Sequence, residues 1–126
     1  MGDSIEIGVN QARELAMAAM RGRGFHEEAA ATTVEALLAA ERDGLPSHGL
    51  SRLPFYLDQA VSGKVDAGAV PRLESDGAVV RVDACHGLAF SAVACGLEAG
   101  YETAKRLGLA AVAIFRSHHF GVAGAP

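Results

Sequence analysis

The chain of 126 residues has no tryptophan, and aromatic residues make up only 6% of it. Small residues take their place, with 15 glycines and many alanines. Such residues permit close backbone approach but fill a core poorly, which predicts reliance on a larger assembly. Basic residues are not in excess: 11 Lys and Arg stand against 15 Asp and Glu, for a net charge of −4. That balance argues against phosphate neutralisation, hence against nucleic acid and against anionic membrane surfaces as partners. Every apolar run is broken well short of the roughly 18 residues a membrane span needs. Met1-Gly2-Asp3-Ser4 lacks the basic start of a signal peptide, and no apolar stretch follows it. Glu6 stands where a myristoylation motif carries Ser or Thr. Cys85 and Cys95 form no CxxC pair; reduced thiols in a cytoplasmic protein are the expectation. Half the residues are apolar, enough to exclude disorder and to build the core of one domain.

Periodicity sets the expected elements. Ser4 to Val9 alternates polar and apolar residues, the pattern of a short half-buried strand, with Asn10 as N-cap of the helix that follows. Ala12, Leu15, Ala16, Ala19 and Met20 line one face of that helix, and Gly22 and Gly24 end it. A second helix begins near His26, carries Glu27 and Glu28 at its positive end and runs to about Arg42. Two helices so closely joined are expected to pack antiparallel. A third helix passes through Tyr56 to about Ser62. Pro54 is tolerated in a first turn but clashes deeper inside a helix, so the start is placed at Ser51. His48 then lies in the lead-in loop and Arg52 on the first turn. Gly63 to Gly77 is polar and turn-rich and reads as a crossover between substructures. Ala78 to Asp83 is strand-like, Leu88 to Leu107 is helical with Gly108 as its stop, and Leu109 to Phe115 has the all-apolar pattern of a fully buried strand. The order strand–helix–strand makes an α/β unit.

Reactive side chains gather in two places. Asp43 to Arg52 (DGLPSHGLSR) holds Ser47, His48 and Arg52 between two helices. One reading is ordinary: Ser47 caps a turn, His48 is solvated, and Arg52 pairs with Asp58 or Glu41. The other is chemical. A guanidinium fork holds a carboxylate, an imidazole exchanges a proton near neutral pH, and Ser47 sits in its hydrogen-bond chain. No GxSxG elbow surrounds Ser47, so a nucleophilic serine is not expected. The second place is Ser117 to Pro126 (SHHFGVAGAP). Here His118 and His119 either form a satisfied pair at a strand end or open a glycine-rich turn that approaches a ligand. Neighbouring residues on a strand face opposite ways, and His26, His48, His86, His118 and His119 make no HExxH or Cys/His set, so no metal is expected. No GxGxxG follows a strand, so the Rossmann site is not expected either. Asp83 to Gly87 reads as a tight loop, with a thiolate at Cys85 beside His86 as its second reading.

Three segments carry a family resemblance: Asp43 to Asp66 (DGLPSHGLSRLPFYLDQAVSGKVD), Val82 to Phe90 (VDACHGLAF) and Ser117 to Pro126. With these the chain resembles the malate/L-lactate dehydrogenase family, which is unrelated to the Rossmann-type lactate dehydrogenases, and the similarity covers nearly all of it. The resemblance implies a nicotinamide-dependent oxidoreductase, with NAD or NADP as cofactor. Its substrates would be small 2-hydroxy or 2-keto acids or cyclic imino acids; relatives act on malate, lactate, sulfolactate, ureidoglycolate, diketogulonate and piperideine-2-carboxylate. It also implies a homodimer and an α/β fold of the family's own, non-Rossmann kind. Residues 1–68 would form an N-terminal helical part, and residues 69–126 the beginning of a mixed-sheet cofactor domain. By motif, Ser47 and His48 would relay the proton and Arg52 would bind the substrate carboxylate. His119 would lie beside substrate and nicotinamide, and Phe120, Gly121, Val122, Ala123 and Gly124 would contact the cofactor. Pro46 departs from the polar residue that many relatives carry there. Family chains are well over twice this length, so the resemblance also implies an N-terminal portion that does not complete a catalytic cycle alone. Two other readings stand beside the 2-hydroxy acid dehydrogenase: a Δ1-piperideine-2-carboxylate-type imine reductase, and a non-catalytic truncated fragment.

Overall fold

The computed structural model describes residues 2–121. Four α-helices, α1 (Val9–Gly22), α2 (Glu27–Arg42), α3 (Leu53–Val61) and α4 (Ala89–Leu107), combine with three strands, β1 (Arg72–Asp76), β2 (Val79–Asp83) and β3 (Ala111–Phe115). The helices α1 to α3 come first, and a mixed sheet of order β1-β2-β3 follows. This is the α/β arrangement expected, with helices leading into a mixed sheet. Among the described residues no helix is long and apolar enough to cross a membrane.

The helical part is organised by one apolar cluster. Ala12, Ala16 and Met20 of α1 meet Ala30, Val34, Leu37 and Leu38 of α2, and Tyr56 of α3 joins them. Leu88 and Phe90, from the start of α4, complete the same cluster, so packing runs from the first helices into the second half of the chain. A separate cluster of Val80, Val82, Ala84 and Ala92 lies between β2 and α4. The small residues have a use here. A Cβ on Gly96 would stand 2.9 Å from Val112 Cγ1 and 3.1 Å from Val82 Cγ2, and one on Gly100 would stand 2.6 Å from Val112 Cγ2. These two glycines let α4 lie close against the sheet.

Strands β2 and β3 are parallel, with Val80 opposite Val112 and Val82 opposite Ile114, and α4 is the crossover between them. The strand–helix–strand unit expected from the sequence is present. Helix α4 ends on Gly108 at φ +91°, where a left-handed residue closes the helix.

Four expectations are corrected. Ser4 to Val9 is not a strand: residues up to Gly8 belong to no element, and Val9 opens α1. A strand needs a neighbour for its N–H and C=O groups; among the described residues none lies alongside, and Ile5 is 85% exposed. Asn10 is not the N-cap. Gly8 takes that position, and the Asn10 carboxamide oxygen accepts a hydrogen bond from Arg13 at 2.6 Å. The turn-rich stretch contains β1, antiparallel to β2 with Asp76 opposite Val79 across a Gly77-Ala78 turn. Strand β1 is exposed at every position, so it lacks the alternation that marks a half-buried strand. Finally, β3 is not fully buried: its residues alternate between exposed and intermediate. Among the described residues α4 covers one face of the sheet, and β3 is an edge strand.

Candidate functional site

The segment between α2 and α3 winds into two 3-10 turns, Pro46–His48 and Leu50–Arg52. Helix α3 starts at Leu53, two residues later than expected, with Pro54 in its first turn. The expected consequence holds: His48 lies outside α3. Arg52 closes the second 3-10 turn and stands at the N-cap of α3. Glu41, from the last turn of α2, reaches beneath this segment, and its carboxylate accepts the Leu50 N–H at 2.7 Å. The carboxylate needs the space beside Gly49, where a Cβ would come within 2.2 Å of Glu41 Oε1. The Ser51 hydroxyl donates to the Pro46 carbonyl at 2.6 Å and tightens the same turn.

Within this frame the Ser47 hydroxyl lies 3.0 Å from His48 Nδ1. Arg52 Nε donates to the Ser47 carbonyl at 2.9 Å, which fixes one edge of the guanidinium. Among the described residues Arg52 enters no ion pair with Asp58 or Glu41. Among the described residues the hydrogen bond of its side chain is the one from Nε to the Ser47 carbonyl.

The second half of the site arrives from the end of β3. Phe115 and Arg116 carbonyls accept from Ala84 and His86 N–H groups at 3.0 and 2.8 Å, and His118 N–H donates to the Gly87 carbonyl at 3.1 Å. The loop after β2 and the segment after β3 therefore run together. Three side-chain-bearing residues in this crossing have positive φ: Cys85 at 52°, His86 at 65° and Arg116 at 50°. Such conformations cost about 1–3 kcal/mol each and persist only where the surroundings dictate them. Asp83 does so: its carboxylate accepts from Cys85 N–H at 2.8 Å and from Arg116 Nε at 2.9 Å, with a second bond from Arg116 Nη2. The Asp83–Gly87 stretch is the tight loop expected.

Asp83 gives a pH signature. Hydrogen bonds from Arg116, then the Cys85 N–H, hold its carboxyl at about 2, below the ordinary 3.8. A carboxyl depressed by folding stabilises the fold above its unfolded pKa, and this contribution is lost as pH falls from about 4 to about 2. In urea titrations the gap in midpoint between the native chain and Asp83→Asn should therefore close across that interval. A gap that stays constant would remove Asp83 as the source.

The two halves meet at His119. Its ring lies 6.3 Å from that of His48, at 29°. Its Nδ1 is 2.9 Å from the Tyr56 hydroxyl and 3.1 Å from the Gly121 N–H. Burial, then the Arg52 charge, then His48, push the His119 pKa below the ordinary histidine value. Phe120 is 55% exposed and nearly parallel to His119, at 6.5 Å and 27°. Gly121 has φ +82°, and a Cβ there would stand 3.0 Å from Phe90 Cε1. The structure thus brings Ser47, His48, Arg52, His119, Phe120 and Gly121 into one neighbourhood. Val122, Ala123 and Gly124 lie outside the described residues. Among the described residues no three His, Cys, Asp or Glu side chains are placed to hold a metal.

Sequence reading missed Tyr56, treating it only as a helix residue. It is buried beside Phe90, at 5.9 Å between rings, yet aims its hydroxyl at His119. One signal for it was its position four residues after Arg52, one helical turn away on the same face.

Residues 7–126 match the family model for malate/L-lactate dehydrogenase. The chain is 59% identical over 120 residues to a (2R)-3-sulfolactate dehydrogenase (NADP(+)) of Chromohalobacter salexigens, covering 95% of this chain and 36% of that protein. It is 45% identical over 98 residues to a Δ1-pyrroline-2-carboxylate/Δ1-piperideine-2-carboxylate reductase of Pseudomonas syringae pv. tomato, covering 77% of this chain and 29% of that one. The crystal structure of Δ1-piperideine-2-carboxylate reductase from Pseudomonas syringae pv. tomato superposes with a TM-score of 0.87 and 39% identity, over 94% of this chain and 36% of that structure. The chain spans about a third of the length of these relatives. With this match along nearly its whole length, the chain belongs to the malate/L-lactate dehydrogenase family.

Proposed function

We propose that the protein carrying this chain is an NAD- or NADP-dependent oxidoreductase that interconverts a small 2-hydroxy acid and its 2-keto acid. The observation that carries this reading is the pinned Arg52 guanidinium beside the imidazoles of His48 and His119. The residues fit such ligands. The fork of Arg52 suits a carboxylate, and the exposed Phe120 ring beside His119 offers a flat aromatic surface of the kind a nicotinamide stacks on. When bound, the nicotinamide gives or takes the hydride. Arg52 orients the acid. His48 has Nδ1 engaged by Ser47, so Nε2 is the atom that gives the proton to the carbonyl oxygen or takes it from the hydroxyl, with Ser47 completing the relay. The names of the relatives support the class: one acts on (2R)-3-sulfolactate with NADP(+). A homodimer and a cytoplasmic location belong to the same proposal.

A second reading, reduction of a cyclic imino acid, is favoured by the likeness to the piperideine-2-carboxylate reductase. The same groups serve it, since that substrate also pairs a carboxylate with a polar double bond. The test is a panel of malate, lactate, sulfolactate and cyclic imino acids, with both cofactors, on the full-length protein. Turnover of the hydroxy acids supports the first reading, and turnover of imines alone replaces it by the second. A non-catalytic fragment is the third alternative. It is disfavoured if the 126-residue chain itself enhances NADH fluorescence with submillimolar affinity.

A further inference from the structure

We propose that Tyr56 is a positioning residue that fixes the tautomer of His119, making His119 a standing hydrogen-bond donor. The argument begins with the Gly121 N–H. A backbone N–H only donates, and this one is directed at His119 Nδ1, so that nitrogen presents its lone pair. The Tyr56 hydroxyl, directed at the same atom, then donates as well. The ring proton of neutral His119 is left on Nε2.

The arrangement has a reason to persist. Tyr56 is 1% exposed, and among the described residues His119 is the hydrogen-bond partner of its hydroxyl. A buried phenol without a partner is costly. Moving the His119 proton to Nδ1 would set it against the Gly121 N–H. The groups facing His119 oppose a second proton as well. Arg52 and His48 approach from the 3-10 turns and Tyr56 from α3, while Phe90 of α4 and Phe120 bring no charge. The two imidazoles are therefore not equivalent: His48 Nδ1 meets a serine hydroxyl that donates or accepts, whereas His119 Nδ1 meets two donors.

What the Nε2–H acts on rests on the proposed function, but the tautomer is testable without turnover. The experiment is nitrogen NMR of the histidine rings in the full-length protein without cofactor, with His119 assigned from the signal lost in His119→Gln. We expect Nδ1 bare and hydrogen-bonded and Nε2 protonated near neutral pH. In Tyr56→Phe the His119 pKa should rise by about half to one unit, because one donor to the neutral form is gone. A wild-type spectrum showing Nδ1–H overturns the assignment. An unchanged pKa and tautomer in Tyr56→Phe overturns the role of Tyr56. If that variant does not fold, 3-fluorotyrosine in place of both tyrosines, Tyr56 and Tyr101, supplies a stronger donor and should lower the His119 pKa; no movement counts against the proposal. A protein with the expected tautomer and no turnover of hydroxy or imino acids sinks the function reading alone. Turnover with the opposite tautomer sinks this inference alone.

Discussion

Replacing His48 with glutamine in the full-length protein should lower kcat by about 10²–10⁴-fold, the usual worth of a positioned general acid–base. Glutamine keeps a hydrogen-bonding group near Ser47 but cannot exchange a proton. The same change at His119 should cost less, since two donors at its Nδ1 place it as a hydrogen-bond donor rather than as the proton carrier. A kcat within a few-fold of the native value in His48→Gln would take His48 out of the proton path.

Arg52→Ala should raise KM for the carboxylate substrate by roughly 10- to 100-fold, as expected when charge-assisted hydrogen bonds worth about 1.5–3 kcal/mol are lost. KM for the nicotinamide should move much less. The asymmetry matters because Arg52 also holds the Ser47 carbonyl, so some general loosening is to be expected. Arg52→Lys should recover little, since an ammonium cannot bond the Ser47 carbonyl and present a fork at once. Steady-state kinetics with each ligand varied in turn separates the cases, and equal effects on both KM values would contradict a carboxylate role.

Much of the fold could be read from the sequence where periodicity and chemistry agreed. Helix α4 shows an apolar face, basic residues in its last turn and a glycine stop, and all three are realised. Pro54 correctly kept His48 out of α3. The failures share a cause: strand patterns report burial, not pairing. Ser4 to Val9 alternates but has no neighbour, while β1 lacks alternation yet pairs with β2 through a two-residue turn. Gly77 was the available clue, because a glycine at the first position of a two-residue turn is a hairpin signal. The all-apolar β3 looked buried on both faces, and α4 covers only one. At the site, local motifs exposed Ser47, His48 and Arg52, which lie close along the chain. The spacing from Arg52 could place Tyr56 beside the site, but its contact with His119 spans 63 residues, and no local pattern encodes the partner.

That span also bears on the order of assembly. Contacts within the α1–α2 pair close short loops, whereas the Tyr56–His119 bond must await the β2–α4–β3 unit and its parallel pairing. Nonlocal and parallel pairings are the slow steps of folding. Helical signal should therefore appear early in refolding, with the histidine pair forming last. Opening can follow the reverse order: the turn after β3 can release His119 while the helical core stays intact, because its ties are a few backbone bonds, the Asp83–Arg116 pair and the Tyr56–His119 bond. Deuterium uptake at the His118 and Gly121 amides would then report the integrity of the site apart from that of the fold.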